Sequence, residues 1–463
     1  MNTSDLFSLD KPCKVHFIGI GGISMSGIAE LLLSRGFQVS GSDNANSPLT
    51  ESLTQKGASI TIGQSSDNIH SDMDLVVYTA AIRQDNPELV AAKEAGITLM
   101  TRAEILGLIM KSYKTPIAIS GTHGKTTTTS MISRMLLAAD TDPTLSIGGI
   151  LKDIGGNFRV GNSELFVTEA CEYTNSFLSF FPKISVILNV EADHLDFFKD
   201  LADIRSSFHR FAALLPADGH LVINGAIPDL CDITDGLPCS VTTFGMGSEN
   251  DYYPTDIRYD ENAYPTYTLN RPGQAPITIK LSVPGEHNVL NSVAAMAVID
   301  ILGLPTQVCL DAISSFGGTE RRFEYKGTIN GVTVIDDYSH HPTEISACLT
   351  AAAKKEHNKL WCIFQPHTYS RTKSFMSEFA SALSLADSVI LADIYAAREK
   401  DTLGISSETL LEELKHLGTE CYYFPSFKEI EDFVIKNCQE GDLLITMGAG
   451  NVVKIGEELL SMK

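Results

Sequence analysis

Short runs of aliphatic and β-branched residues recur along this chain, separated by stretches with helical spacing. The first, Lys14-Val15-His16-Phe17-Ile18-Gly19-Ile20, predicts a strand, and the glycines after it lead into a helix over 28–35. Further strands are predicted at 37–40, ending at Gly41-Ser42-Asp43, and at 74–78. Strands divided by helices imply a parallel α/β sheet. The polar, Pro-terminated stretch 111–116 reads as a linker. A strand at 117–120 then enters a glycine loop, with a helix over 127–137 and strands at 165–168 and 184–189. Residues 241–283 alternate polar and apolar positions between Pro and Gly turns, which predicts an antiparallel patch. Near Gly317-Gly318-Thr319 the pattern resets, and 332–335, 361–364, 388–391 and 443–446 predict the strands of another α/β unit. No internal repeat or low-complexity segment interrupts this order.

Length agrees with that reading, because 463 residues exceed one ordinary core. The fold class is α/β in three domains, 1–111, 112–317 and 318–463. No apolar run reaches the roughly 20 residues that cross a bilayer, so membrane insertion is not expected. The first twelve residues lack the pattern of a secretory leader. Nine cysteines without CxxC pairs then read as reduced thiols of a cytoplasmic protein. Fifty-seven acidic residues against 35 basic give a net charge of −22, the wrong sign for a nucleic-acid binder. An anionic substrate must therefore be held locally, by helix N-termini, cations and a few basic side chains.

The chemistry concentrates in turns that follow strands. In Gly121-Thr122-His123-Gly124-Lys125-Thr126-Thr127, between a strand and a helix, backbone N–H groups can surround phosphate oxygens. Lys125 adds a full positive charge and Thr126 a hydroxyl for Mg²⁺. The loop departs from the general phosphate-binding pattern, which places a glycine where Ile119 stands. The bland alternative is a strand–helix turn without a ligand.

The earlier cluster Gly19-Ile20-Gly21-Gly22-Ile23-Ser24-Met25-Ser26-Gly27, with Asp43 ending the next strand, is less specific. It leaves open NAD(P), another nucleotide diphosphate, or a turn with no ligand. Glu169 and His194 each follow a strand of the domain that carries the phosphate loop, which makes them candidate metal ligands. Asn288 and Asn291, in Gly285-Glu286-His287-Asn288-Val289-Leu290-Asn291, suit either a helix cap or a purine edge. Arg321-Arg322 follow the glycine hinge. Asp336-Asp337-Tyr338-Ser339-His340-His341-Pro342 and Gln365-Pro366-His367-Thr368-Tyr369-Ser370-Arg371 are polar turns expected on one rim. Adjacent histidines on an extended turn point apart, so substrate contact is favoured over a shared metal at His340-His341.

Taken in order, these stretches, with Glu169 to Tyr173 and Glu191 to Asp196, resemble the Mur ligases of peptidoglycan synthesis, and within them the alanine-adding branch. The shortened loop at Gly121 to Thr127 is similar to the family's own, which accounts for Ile119. The resemblance implies an N-terminal Rossmann-like domain for a UDP-sugar and a central P-loop ATPase-type domain with a mostly parallel sheet and the small antiparallel patch. It also implies a C-terminal Rossmann-like domain that brings the amino acid. The implied reaction joins L-alanine to the lactyl carboxylate of UDP-N-acetylmuramate through an acyl phosphate, with ATP as co-substrate and two Mg²⁺ ions.

The resemblance assigns Gly121, Thr122, His123, Gly124, Lys125, Thr126 and Thr127 to the ATP phosphates, with Lys125 catalytic. Thr126, Glu169 and His194 would organise the metal. Asn288 and Asn291 would meet the adenine, and Arg321, Arg322 and Asp336 would reach ATP. Gly19, Gly21, Gly22, Met25, Ser26 and Asp43 would hold the sugar nucleotide, while Tyr338, His340 and Arg371 frame the alanine. His340 is the expected general base, its ordinary pKa lying near 6.5. Hinges are expected at 111–115 and 316–319, and the chain as a monomer or homodimer.

Two departures stand out. Other branches carry a carbamylated lysine where Ser207-Phe208-His209-Arg210 stands, so no carbamate is expected. Some alanine-adding relatives have Arg at Thr368, which would leave the alanine carboxylate mainly on Arg371. Three other functions compete: a ligase adding a tripeptide to the same UDP-sugar, a non-catalytic nucleotide-binding protein, and an NAD-dependent dehydrogenase. Ser24 in place of a third glycine counts against the last.

Overall fold

The computed structural model describes residues 9, 11–79, 82–195, 197–397 and 399–462. Asp196, the end of one quoted motif, lies outside them, as do most of the first ten residues. The alternating elements form three α/β domains. Strands β1 (Lys14–Ile18), β2 (Gln38–Asp43), β3 (Ser59–Ile62), β4 (Leu75–Tyr78) and β5 (Thr98–Thr101) make a parallel sheet in the order β3-β2-β1-β4-β5. The order reverses at β1, so the glycine cluster after it lies at the switch point where open α/β sheets place ligands.

The central sheet holds β6 (Thr115–Ser120), β7 (Thr144–Leu151), β8 (Gly156–Arg159), β9 (Leu165–Glu169), β10 (Ile184–Ile187), β11 (His220–Asn224) and β12 (Ser240–Phe244), ordered β12-β11-β10-β6-β9-β7-β8. All its pairings are parallel except β7 with β8. A three-stranded antiparallel sheet follows, β13 (Tyr253–Tyr259), β14 (Pro265–Arg271) and β15 (Gln274–Lys280). The last sheet contains β16 (Glu324–Ile329), β17 (Val332–Asp337), β18 (Leu360–Phe364), β19 (Ser388–Leu391), β20 (Glu420–Tyr423) and β21 (Leu443–Met447), ordered β16-β17-β21-β18-β19-β20. Only β16 runs antiparallel there. In β18, Leu360, Cys362 and Phe364 join the core on one face, and Trp361 and Ile363 join it on the other. Burial on both faces is why these strands read as continuous apolar runs.

Several boundaries differ from the expectation. The first helix begins at Ile23 instead of residue 28, directly after Gly22, because Met25 and Ile28 already face the core. Thr115 and Pro116, read as linker, open β6, where the Thr115 N–H donates to the Glu164 carbonyl. Residues 241–244 pair in parallel with β11 and leave the antiparallel patch to 253–280. Glu169 and Asp336 lie within the ends of their strands.

The chain divides into two compact units. One runs to Tyr252 and takes in Ala294–Cys309; the other holds Tyr253–Val293 and the chain from Leu310 onward. In the first unit the N-terminal and central sheets share one apolar core, joining Phe17, Ile28 and Ile105 to Phe166, Phe177 and Phe208. At Gly107 the helix Arg102–Met110 comes so close to the central domain that an added Cβ would lie 1.9 Å from the Ser179 carbonyl oxygen. No helix among the described residues is long and apolar enough to cross a membrane. The nine cysteines carry no disulfide.

Candidate active site

In the first unit, sheet order assembles the site. The loop after β6 is flanked by β9 on one side and β10 on the other, so what ends those strands falls beside it. Gly121 and Gly124 have φ of 138° and 85°, values that favour glycine, and Gly124 starts the helix Lys125–Ala138 without a side-chain cap. The helix N-terminus therefore keeps its N–H groups for an anion. Asn189, just beyond β10, clamps the loop: its Oδ1 accepts from the His123 N–H at 2.8 Å and its Nδ2 donates to the His123 carbonyl at 3.1 Å. The Thr122 hydroxyl accepts from the Glu191 N–H at 2.9 Å. Thr122 and Thr126 are buried, and Thr127 is the third residue of the helix.

The Lys125 ammonium donates to the Gly121 and Thr122 carbonyls and pairs with Glu172 at 3.0 Å. Burial pushes its pKa down, but the neighbouring Glu172 carboxylate outweighs that and holds it up at about 12. The Thr126 hydroxyl donates to Glu169 Oε2 at 3.1 Å, and the other Glu169 oxygen accepts from the Gly148 N–H. Two hard oxygens beside a phosphate loop suit Mg²⁺. His194, at φ 54°, faces Glu172 at 3.9 Å and Asp193 at 3.7 Å, with its ring stacked on Tyr173 at 4.4 Å.

On the N-terminal sheet, the Gly21 N–H donates to Asp43 Oδ2 at 2.9 Å. Gly19 takes φ 81°, and Gly22 caps the first helix with no side chain over its N-terminus. Met25 is buried in the core and the Ser26 hydroxyl turns back to the Ile23 carbonyl, so both shape the loop from beneath.

Sequence reasoning passed over Glu172, Asn189, Gly148 and Arg102. Arg102 donates to the Ser24 hydroxyl at 3.0 Å. Burial lowers its pKa, against the fields of Cys171 and Glu169. Glu172 lies inside a quoted motif, but only the fold shows that it meets Lys125. In the stretch Ser207 to Arg210, where no carbamate is expected, the Ser207 hydroxyl donates to Asn175.

The second unit gathers the remaining candidates. Asn288 donates from Nδ2 to the Pro284 carbonyl at 2.7 Å and accepts at Oδ1 from Asn291 at 3.0 Å. Both are buried at the start of the helix Glu286–Ile301. Arg321 pairs with buried Asp336 at 3.0 Å and donates to the Gly448 and Gly450 carbonyls at 2.7 and 3.1 Å. Burial raises the Asp336 pKa against the pull of Arg321. The Arg321 and Arg322 guanidinium groups lie 4.9 and 5.1 Å from the Tyr338 ring centre.

His340 Nδ1 lies 3.0 Å from the Tyr338 carbonyl and 3.3 Å from Glu344. Its ring stands 5.8 Å from that of His367, whereas His341 caps the helix Pro342–Ala353 and packs on Phe375. The two adjacent histidines thus point apart, as their extended turn requires. Arg371 donates to the His367 carbonyl at 3.0 Å, and burial, then Arg371, lowers the His367 pKa.

Known proteins resemble this chain along most of its length. Residues 14–114 match the Mur ligase family catalytic domain, 119–299 the Mur ligase middle domain, and 321–450 the Mur ligase glutamate ligase domain. A UDP-N-acetylmuramate–L-alanine ligase of Agathobacter rectalis is 59% identical over 450 residues, 97% of this chain and 98% of the relative. One of Clostridium botulinum is 52% identical over 456 residues, 98% of this chain and 99% of the relative. Among solved structures, the UDP-N-acetylmuramate–alanine ligase of Thermotoga maritima superimposes with a TM-score of 0.82 at 32% identity, covering 97% of this chain and 99% of that one. A murein peptide ligase of Psychrobacter arcticus reaches 0.73 at 26%, covering 97% and 98%. The chain belongs to the Mur ligase family.

Proposed function

We propose that this chain is a cytoplasmic ATP-dependent ligase that joins L-alanine to the lactyl carboxylate of UDP-N-acetylmuramate in peptidoglycan precursor synthesis. The observation that carries the reading is the meeting of Lys125, Thr126 and Glu169 at one glycine loop, in a chain that matches alanine-adding ligases along nearly its whole length. The division into domains at 1–111, 112–317 and 318–463 belongs to the same proposal; it rests on where the sequence pattern resets, and the family matches at 14–114, 119–299 and 321–450 support three segments in that order.

A carboxylate is a poor electrophile and must be activated before an amine attacks it. A lactyl carboxylate oxygen attacks the γ-phosphorus of ATP, ADP leaves, and an acyl phosphate forms. The alanine nitrogen then attacks the carbonyl carbon, phosphate leaves, and the amine proton passes to His340. Phosphoryl transfer is mostly positioning and charge neutralisation. Lys125 and the N–H groups of its helix supply these, and the substrate brings its own nucleophile. Thr126 and Glu169, with His194 nearby, would hold Mg²⁺, which neutralises phosphate charge when bound. His340 suits the base: with Nδ1–H donated to the Tyr338 carbonyl, Nε2 keeps its lone pair. Arg371 would pair with the alanine carboxylate, and the uncapped helix after Gly22 would receive the pyrophosphate.

Phosphate release from ATP with UDP-N-acetylmuramate, comparing L-alanine with L-alanyl-γ-D-glutamyl-meso-diaminopimelate, tests the reading. Release is expected with L-alanine alone. Release only with the tripeptide transfers the chain to the rival ligase, and release with neither removes the proposal.

A further inference from the structure

Thr368 opens the six-residue helix Tyr369–Ser374, yet its hydroxyl does not cap that helix. It donates instead to Glu399 Oε1 at 2.6 Å, and the same oxygen accepts from the Ser370 hydroxyl. Glu399 Oε2 accepts from the Ser370 N–H at 2.9 Å. A carboxylate from the loop after β19 thus caps a helix that lies after β18. Burial opposes the charge of Glu399, but the hydrogen bonds from Ser370 and Thr368 outweigh it and hold its pKa below the usual carboxylate range.

The same loop makes a second attachment. The Tyr395 N–H donates to the Pro366 carbonyl at 2.8 Å, and its ring stacks on His367 at 5.7 Å and 11°. The segment held by these contacts, 366–371, carries His367 and Arg371. His367 in turn stands beside His340. A six-residue helix cannot fix its own orientation, since helices that short are marginal by themselves. Its aim therefore depends on what grips it from outside.

We propose that Glu399 is a positioning residue of the amino-acid site: its carboxylate locks the 367–371 turn so that Arg371 is held where the substrate carboxylate arrives. This rests on the alanine-site reading above. It also gives Thr368 a role where some relatives carry Arg: here the position serves the clamp and leaves the carboxylate to Arg371.

The test is steady-state kinetics of Glu399→Ala, Glu399→Gln and Thr368→Val, with each substrate varied in turn. Losing charge-assisted hydrogen bonds should raise KM for L-alanine about tenfold in Glu399→Ala. KM for ATP and for the sugar nucleotide should stay within about twofold, because only the turn is released. Glu399→Gln, which keeps one acceptor oxygen, should recover part of the loss, and Thr368→Val should show a smaller shift in the same direction. Equal changes in all three KM values, or none, overturn the proposal. If Glu399→Ala does not fold, the Thr368→Val comparison decides. A wild-type enzyme that turns over the tripeptide and not L-alanine would refute the functional reading alone, and the same comparison on the tripeptide would still decide the clamp.

Discussion

Lys125 shows what a single residue needs in order to serve a phosphate. Its ammonium is largely buried, and Glu172 keeps it charged at neutral pH. The pKa is raised on folding, so this pair's stabilisation is complete below the lysine's unfolded value of about 10.5 and is lost as pH rises through about 12. Physiological pH leaves it untouched. The proton transfer proposed for the second step belongs to His340. A His340→Asn variant should lower kcat by about 100-fold or more and change the shape of the kcat–pH profile. An unchanged profile would remove His340 as the base. Lys125 was legible in the sequence because glycine spacing, strand and helix all point to it. Glu172 was not, since nothing in Cys171-Glu172-Tyr173 distinguishes a buried ion-pair partner from a solvated carboxylate.

At the scale of the element, the phosphate loop is a strand end and a helix start held apart by two glycines. Gly124 sits at φ 85°, where a Cβ costs about 1–2 kcal/mol. Gly124→Ala should therefore lower unfolding stability by about that amount in chemical denaturation, and ATP affinity should fall as the helix N-terminus turns away. Wild-type stability and affinity together would show that the loop tolerates the side chain and does not hold phosphate in this conformation. The first helix teaches the complementary lesson. It was expected at residue 28, beyond the glycine cluster, but burial of Met25 favours an earlier start. Propensity is a weak prior once one face of a helix can be buried.

Across the whole molecule, chemistry is divided among sheets. The glycine cluster after β1 and the loop after β6 sit on different sheets, although one apolar core joins those domains. Lys125→Ala should then reduce kcat/KM for ATP by about 100- to 1,000-fold while leaving sugar-nucleotide affinity within about twofold by calorimetry. Parallel loss of both affinities would mean that the two sites are not separate. Of the two expected hinges, 111–115 falls inside the first compact unit, and 316–319 lies just past the boundary at Leu310.

What the sequence determined alone is local. Apolar runs marked most of the strands, glycines marked the turns that need them, and the shortened loop at Gly121 to Thr127 pointed to the family. These signals survive in one dimension because strand period, positive φ and helix capping are properties of adjacent residues. The tertiary structure decided which turns meet. Placing β9 and β10 on either side of β6 put Glu169 and Asn189 against the phosphate loop. Placing the loop after β19 beside the turn after β18 gave Thr368 to Glu399. Such partners are separated by tens of residues, and their choice follows from sheet order, which no local pattern encodes.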